Sequence, residues 1–230
     1  MVGGMSTRPT AAKHPRAHAA RSSSATVSIA MSPALRRDIA ARPPLSREEQ
    51  TAALWAIRDA RRAAWSAALT HPLAAGALVD IGIFTRAVVA GLSSAWHAWE
   101  YAVDRAQASA AFADVLLAAD GVTDADDADL RAVADALGCP AARAAIATLI
   151  RRVNHVVERN LLLVASIAGT CLRGAFGSEP ARNMTLDDLI SEGSIGLRRA
   201  VVRFDVTRGL QLSTFATFWI RAEVTRAMAD

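Results

Sequence analysis

Two amphipathic helical patterns separated by Asp205-Val206-Thr207-Arg208-Gly209 constrain this chain more than any other feature. The first opens at Thr185, where Thr185 and Asp188 have capping-box spacing and the local carboxylates favour the positive end of a helix. Leu189, Leu197, Val201 and Phe204 recur at helical spacing and predict an inward face. Gly193 and Gly196 each cost such a helix roughly 1 kcal/mol relative to Ala, so a neighbour must approach closely. Tight packing on the next helix is expected for at least one of them. The second pattern restarts at Ser213, read as an N-cap, and carries Phe215, Phe218 and Trp219 beside Arg221 and Arg226. Aromatic faces interleaved with guanidinium groups suit unstacked nucleobases and their phosphates. Aromatics at helical spacing also suit a packed core, and on local pattern alone that reading would win.

The rest of the chain also reads as helix. More than half of its 230 residues are apolar; Ala is abundant, β-branched runs are short, and Gly and Pro gather near boundaries, which predicts an all-α fold. Ser46 and Glu49 form a capping box after the break at Pro43-Pro44. Leu73 to Val103 is strongly apolar, but Asp80 and Arg86 in its middle oppose a membrane span. Ile81, Phe84, Val88, Leu92, Trp96, Trp99 and Val103 fall on one helical stripe and predict core. Thr123 and Asp126 form a further capping box, and the helix after them should end at Gly138, with Pro140 opening its successor. The segment from Cys171 to Met184 reads as a surface loop because Gly174, Gly177 and Pro180 oppose helix.

Positive charge is carried almost wholly by arginine, Lys13 being the only lysine. Arginine's planar fork suits phosphate. The first 37 residues hold six Lys or Arg and no Asp or Glu. Such a segment buries too little apolar surface to fold alone. A disordered basic arm and an organelle transit peptide both fit residues 1–44, and the small and apolar Val27-Ser28-Ile29-Ala30 favours the latter. Cys139 and Cys171 are too few for a disulfide framework, and no Cys/His spacing suggests a metal. His155 falls on a helix with no ligand partners in sequence.

From Asn160 to Asp230 the chain resembles region 2 of the sigma-70 family, the promoter-recognition subunits of bacterial-type RNA polymerase. The resemblance rests on Asn160-Leu161-Leu162-Leu163-Val164, Ser166-Ile167-Ala168 and the run from Asp188 to Leu197. It continues through Ala200-Val201, Phe204-Asp205, Arg208-Gly209, Leu212 to Ala216 and Trp219-Ile220-Arg221. Pro44 to Glu49 resembles the start of the family's region 1.2, and Leu130 to Val157 the helices before region 2 in cyanobacterial and plastid members. Three segments follow: the arm (1–44), region 1.2-like and linker helices (45–150), and region 2 (151–230). The family's downstream regions 3 and 4, including the reader of the minus-thirty-five element, are expected to be lacking.

The resemblance implies that the first helix docks on the clamp helices of the polymerase's largest subunit through Asp188, Ser191, Glu192, Ser194 and Arg198. Ser191 and Ser194 stand where members usually carry Gln and Asn. It implies that Phe215 stacks on the flipped adenine of the minus-ten element in the non-template strand, and that Phe218 and Trp219 wedge at the upstream edge of melted DNA, with one of that pair half buried. Arg203, Arg208, Arg221 and Arg226 are candidate phosphate contacts, and Arg199 either joins them or pairs with a helix carboxylate. Thr225 matches a position that reads duplex DNA, while its usual glutamine partner is Ala222 here. Leu210 and Leu212 replace aromatics common in the family.

The sequence holds no phosphate-binding Gly loop, nucleophile–base arrangement or metal spacing. It therefore reads as a binding and DNA-melting subunit, not an enzyme, with no cofactor and no membrane. Its partners would be core RNA polymerase and promoter DNA. A degenerate sigma-like module that occupies the clamp without opening promoters is the alternative. Location in the plastid stroma, or else in a bacterial cytoplasm, follows from the same resemblance.

Overall fold

The computed structural model describes residues 30–119, 128–174 and 184–229; these form eleven α-helices and one 3-10 turn, with no strand among the described residues. In chain order the helices are α1 (Pro33–Ala40), α2 (Arg47–Leu69), α3 (Ala74–Asp80), α4 (Ile83–Val89), α5 (Ser93–Glu100), α6 (Arg105–Ala118) and α7 (Ala128–Ala136). They continue with α8 (Pro140–Glu158), α9 (Leu161–Gly174), α10 (Leu186–Arg203) and α11 (Leu212–Ala229). The all-α expectation holds. The capping box of Thr123 and Asp126 lies outside the described residues, as do residues 1–29 of the arm and 175–183 of the expected loop.

Long α2 is the keel. Its capping box forms as the sequence predicts, with the Glu49 N–H donating to Ser46 Oγ at 3.2 Å and Glu49 Oε2 accepting from the Ser46 N–H at 2.8 Å. Leu54, Ile57, Ala64, Trp65, Ala68 and Leu69 recur at helical spacing and are buried against α8 on one side and α6 and α7 on the other. Helices α9, α10 and α11 pack on one another, and α10 also meets α8, so a single apolar core runs from Leu54 to Val224. Helix α8 crosses the boundary expected at residue 150 without a break. It opens on Pro140 at the N-terminal turn, shortly after Gly138, in agreement with the sequence.

Four expectations need correction. Residues 33–40 of the expected arm are helical, because Ser32 caps α1 by accepting from the Leu35 N–H at 3.2 Å and Ile39 is buried. Even acid-poor sequence folds when a large neighbour covers its apolar side chains. The apolar stretch from Leu73 to Val103 is three short helices, not one stripe. Gly82 and Gly91 adopt left-handed φ values of 81° and 77° between them, which a continuous helix forbids. Trp96 and Trp99 are buried as expected, packed edge-on with ring centroids 5.2 Å apart, but Val88 and Val103 face solvent. Helix α9 continues through Cys171 to Gly174 because Leu172 is buried, so the loop starts later than expected. Helix α11 begins at Leu212, which puts Ser213 inside its first turn and not at the cap. No single helix among the described residues is long and apolar enough to cross a membrane.

Candidate nucleic-acid interface

The site is a helical hairpin. Helix α10 starts on the capping box expected from the sequence: the Asp188 N–H donates to Thr185 Oγ1 at 3.2 Å, and the Thr185 N–H and hydroxyl donate to Asp188 Oδ2 at 2.8 and 2.7 Å. Those hydrogen bonds hold the Asp188 carboxyl below the usual aspartate range, since they favour its charged form. Asp187 accepts from the Ser32 N–H at 3.1 Å, which ties α1 to the same end. At the far end Asp205 caps the 3-10 turn (Val206–Arg208). It accepts from the Thr207 N–H at 2.9 Å, the Thr207 hydroxyl at 2.6 Å and Arg208 Nε at 3.0 Å. The Thr207 bonds, then the Arg208 guanidinium, lower the Asp205 pKa. Gly209, with φ 67°, then reverses the chain into α11.

Both glycines of α10 are contact points. A Cβ on Gly193 would lie 2.7 Å from Val164 Cγ1 and 3.1 Å from Val224 Cγ2. A Cβ on Gly196 would lie 2.5 Å from the Trp219 carbonyl oxygen. Close approach therefore brings the backbone of α11 against α10 at the residue that carries the last of the three aromatics. Across the same seam Glu223, only 6% exposed, accepts from Arg199 of α10 and from Arg226 of α11. Arg199 thus takes the carboxylate of its two expected roles.

The aromatics form a chain over one edge of the hairpin. Centroids of Phe204 and Phe215 lie 5.7 Å apart, those of Phe215 and Trp219 6.2 Å, and those of Phe218 and Trp219 6.0 Å. Phe215 and Trp219 are half-buried, whereas Phe218 is 71% exposed. The Arg203 guanidinium sits 4.7 Å from the Trp219 ring centroid. Phe218, Arg221, Ala222 and Thr225 are exposed at the i, i+3, i+4, i+7 spacing of a single helix face. Below this edge a groove of about 890 Å³ runs between the hairpin and the wall made by α2 and α6, lined by Phe204, Arg208 and Phe215 on the hairpin side. A smaller hollow of about 390 Å³ shares Leu54, Phe204, Val206 and Leu210 with it and reaches Gln50 and Gln211.

The predicted residues divide by position. Arg203, Arg208 and Phe215 line the groove; Trp219 and Phe218 extend the aromatic chain from Phe215, and Arg221, Thr225 and Arg226 continue along exposed α11. Arg208 and Arg226 each hold an ion pair within the chain, with Asp205 and Glu223 respectively. On α10, Asp188 and Ser191 are exposed, while Glu192, Ser194 and Arg198 are half-buried. The Ser194 hydroxyl donates to the Ile190 carbonyl at 2.7 Å, and Arg198 Nη1 donates to Asn154 Oδ1 of α8 at 2.6 Å. Ile195, 43% exposed, sits between Ser191 and Arg198 on that face and was not anticipated. An apolar residue in register with a polar stripe was the available signal.

The family description Sigma-70 region 2 matches residues 156–230. The chain is 44% identical over 80 residues to the RNA polymerase sigma factor SigA of Nostoc sp., which covers 35% of this chain and 18% of that protein. Matches of the same identity and length occur with SigA1 of Synechococcus elongatus, at 18% of its length, and SigA of Synechocystis sp., at 17%. The match therefore spans less than a fifth of these relatives. Within that segment the capped α10, the reversing turn and the aromatic α11 coincide with the match, and residues 156–230 form a region 2 of the sigma-70 family.

Proposed function

We propose that this chain acts as a sigma factor: it binds core RNA polymerase through α10 and holds the non-template strand of the promoter minus-ten element on α11. The observation that carries the reading is the graded exposure of the aromatic chain, from half-buried Phe215 and half-buried Trp219 beside Arg203 to solvent-facing Phe218. Partial burial restrains Phe215 and Trp219, and the exposed surface of Phe218 is left for a base. Stacking contributes roughly 1–3 kcal/mol per base, against a few kcal/mol to extrude one from a duplex. Several stacks with phosphate contacts from Arg203, Arg208, Arg221 and Arg226 therefore hold a short A·T-rich bubble open with no nucleotide hydrolysis. Thr225 reads the adjoining duplex. Asp188, Ser191, Glu192, Ser194 and Arg198, with Ile195, form the face for the clamp helices of the largest subunit.

Sigma factors are in general transcription initiation factors that catalyse no reaction, and this chain is read in the same way. Similarity to cyanobacterial proteins fits a bacterial or plastid setting; the acid-poor, Arg- and Ser-rich start favours the plastid stroma, which N-terminal sequencing of the mature protein checks. Pull-down with bacterial-type core polymerase, paired with fluorescence anisotropy on a minus-ten single strand, tests the main proposal. Retention in both supports it; failure in both ends it. Exposed Ala222 and the internal pairing of Arg226 favour a second reading, a clamp-binding module that does not open promoters. Core binding that survives Phe215→Ala and Trp219→Ala, with no strand affinity in the wild type, would select it.

A further inference from the structure

Glu223 is the one charged side chain buried among the described residues, at 6% exposed. Its buried neighbours along α11, Ala216, Ile220 and Val224, are apolar. Gly196 makes the room for it, since a Cβ there would lie 3.0 Å from Glu223 Cγ. Both carboxylate oxygens are used, Oε1 accepting from Arg199 Nη1 and Oε2 from Arg226 Nη2. The two arginines reach outward from that anchor, their side chains 34% and 59% exposed. One turn away the same seam is built differently: Arg203, four residues after Arg199, lies over the ring of Trp219, four residues before Glu223. Two arginines of α10 thus meet an aromatic at one rung and a carboxylate at the next. Stability does not call for that carboxylate, because apolar residues of similar volume often serve a buried seam as well as an ion pair, or better.

We propose that Glu223 sets the specificity of the interface: it withholds Arg199 from DNA and competes with phosphate for Arg226, which weakens sequence-independent binding to duplex and leaves base stacking on the aromatics intact. This rests on the reading above and adds what favours the melted strand over bulk DNA. Phosphate contacts carry no sequence information of their own and supply essentially all of non-specific binding. A carboxylate offers a guanidinium the same kind of charged acceptor as a phosphate, and one on the neighbouring helix is always at hand. Arg226 adjoins Thr225, on the stretch of α11 beyond the three aromatics, so the grip that Glu223 removes is on duplex and not on stacked bases. Each arginine it holds weakens every duplex site alike, and the ratio of strand to duplex affinity rises.

The test uses the full chain and two fluorescent probes, a minus-ten single strand and a duplex of unrelated sequence, in anisotropy titrations from about 50 to 200 mM salt. Glu223→Gln keeps the shape of the side chain and removes its charge. It should bind the duplex several-fold more tightly, with a slope of log affinity against log salt steeper by about 0.9 for each arginine that gains a phosphate. Its strand-to-duplex affinity ratio should fall several-fold. Adding Arg199→Ala and Arg226→Ala to that variant should abolish the extra slope; a slope that stays steep would mean that loss of charge alone is responsible, and overturns the inference. Unchanged or weaker duplex binding by Glu223→Gln overturns it as well, with the strand-holding reading left standing. Absence of strand binding in the wild type ends that reading, and this inference with it, since no ratio is then left to set. If Glu223→Gln fails to fold, side-chain N–H NMR of the wild type decides: on addition of the duplex the Arg199 signal should keep its position while that of Arg221 moves. An Arg199 shift as large as that of Arg221 overturns the inference.

Discussion

Gly196→Ala probes the seam that sets the site. The added Cβ would meet the Trp219 carbonyl oxygen at 2.5 Å and its carbon at 2.8 Å, both backbone atoms of α11. Neither can swing away as a side chain would, so α10 and α11 must part by about 1 Å to restore an ordinary contact of roughly 3.5 Å. Ala gains up to ~1 kcal/mol of helix propensity over Gly, and overpacking costs typically 1–3 kcal/mol, occasionally more. Loss of fit along the most extensively packed helix pair in the fold puts the net at about 1–2 kcal/mol of destabilisation. Urea denaturation followed by circular dichroism measures it as a lower midpoint at unchanged slope. Gly193→Ala provides the contrast, since its clash is with the methyl groups of Val164, Val224 and Ile220. Combining it with Val164→Ala should recover part of the deficit, whereas no single side-chain truncation should rescue Gly196→Ala. A Gly196→Ala protein as stable as the wild type would refute the close-approach argument.

Four further outcomes follow from the same geometry. Thr185→Ala removes the cap of α10 and should cost about 1 kcal/mol. It should also raise the Asp188 pKa towards the ordinary aspartate range, which carboxyl NMR titration reads directly. Because the folded Asp188 pKa is lowered, its contribution is present above the unfolded value and is lost as pH falls through the folded one. Wild-type stability should therefore drop below about pH 4, and less steeply in Thr185→Ala. Glu223→Gln removes the carboxylate shared by Arg199 and Arg226; both arginines keep access to water, so the expected loss is about 1 kcal/mol, read by thermal melting.

The hairpin was legible because its signals are local. Thr185 and Asp188 are three residues apart, Gly209 reverses the chain, and the aromatics cluster within α11, so pattern and spacing were enough. Glycine spacing foretold close approach but not its object; that Gly196 meets the Trp219 carbonyl depends on how two helices cross. The breaks at Gly82 and Gly91 were hidden inside a stripe whose apolar residues fit an unbroken helix. Helix α1 escaped because its fold depends on burial of Ile39 and on Asp187, a residue 155 positions away from Ser32. The α2 wall of the groove was missed for the same reason: Arg58 and Arg62, which line it, look like a solvated helix face until α6 and the hairpin are placed beside them.

Phe218 offers the most direct test of strand capture, because a ring 71% exposed contributes little to the core. Phe218→Ala should fold and melt like the wild type. In fluorescence anisotropy with the minus-ten single strand, its affinity should fall by about 1–3 kcal/mol, the worth of one stacked base. Equal affinity in the two proteins would contradict the account.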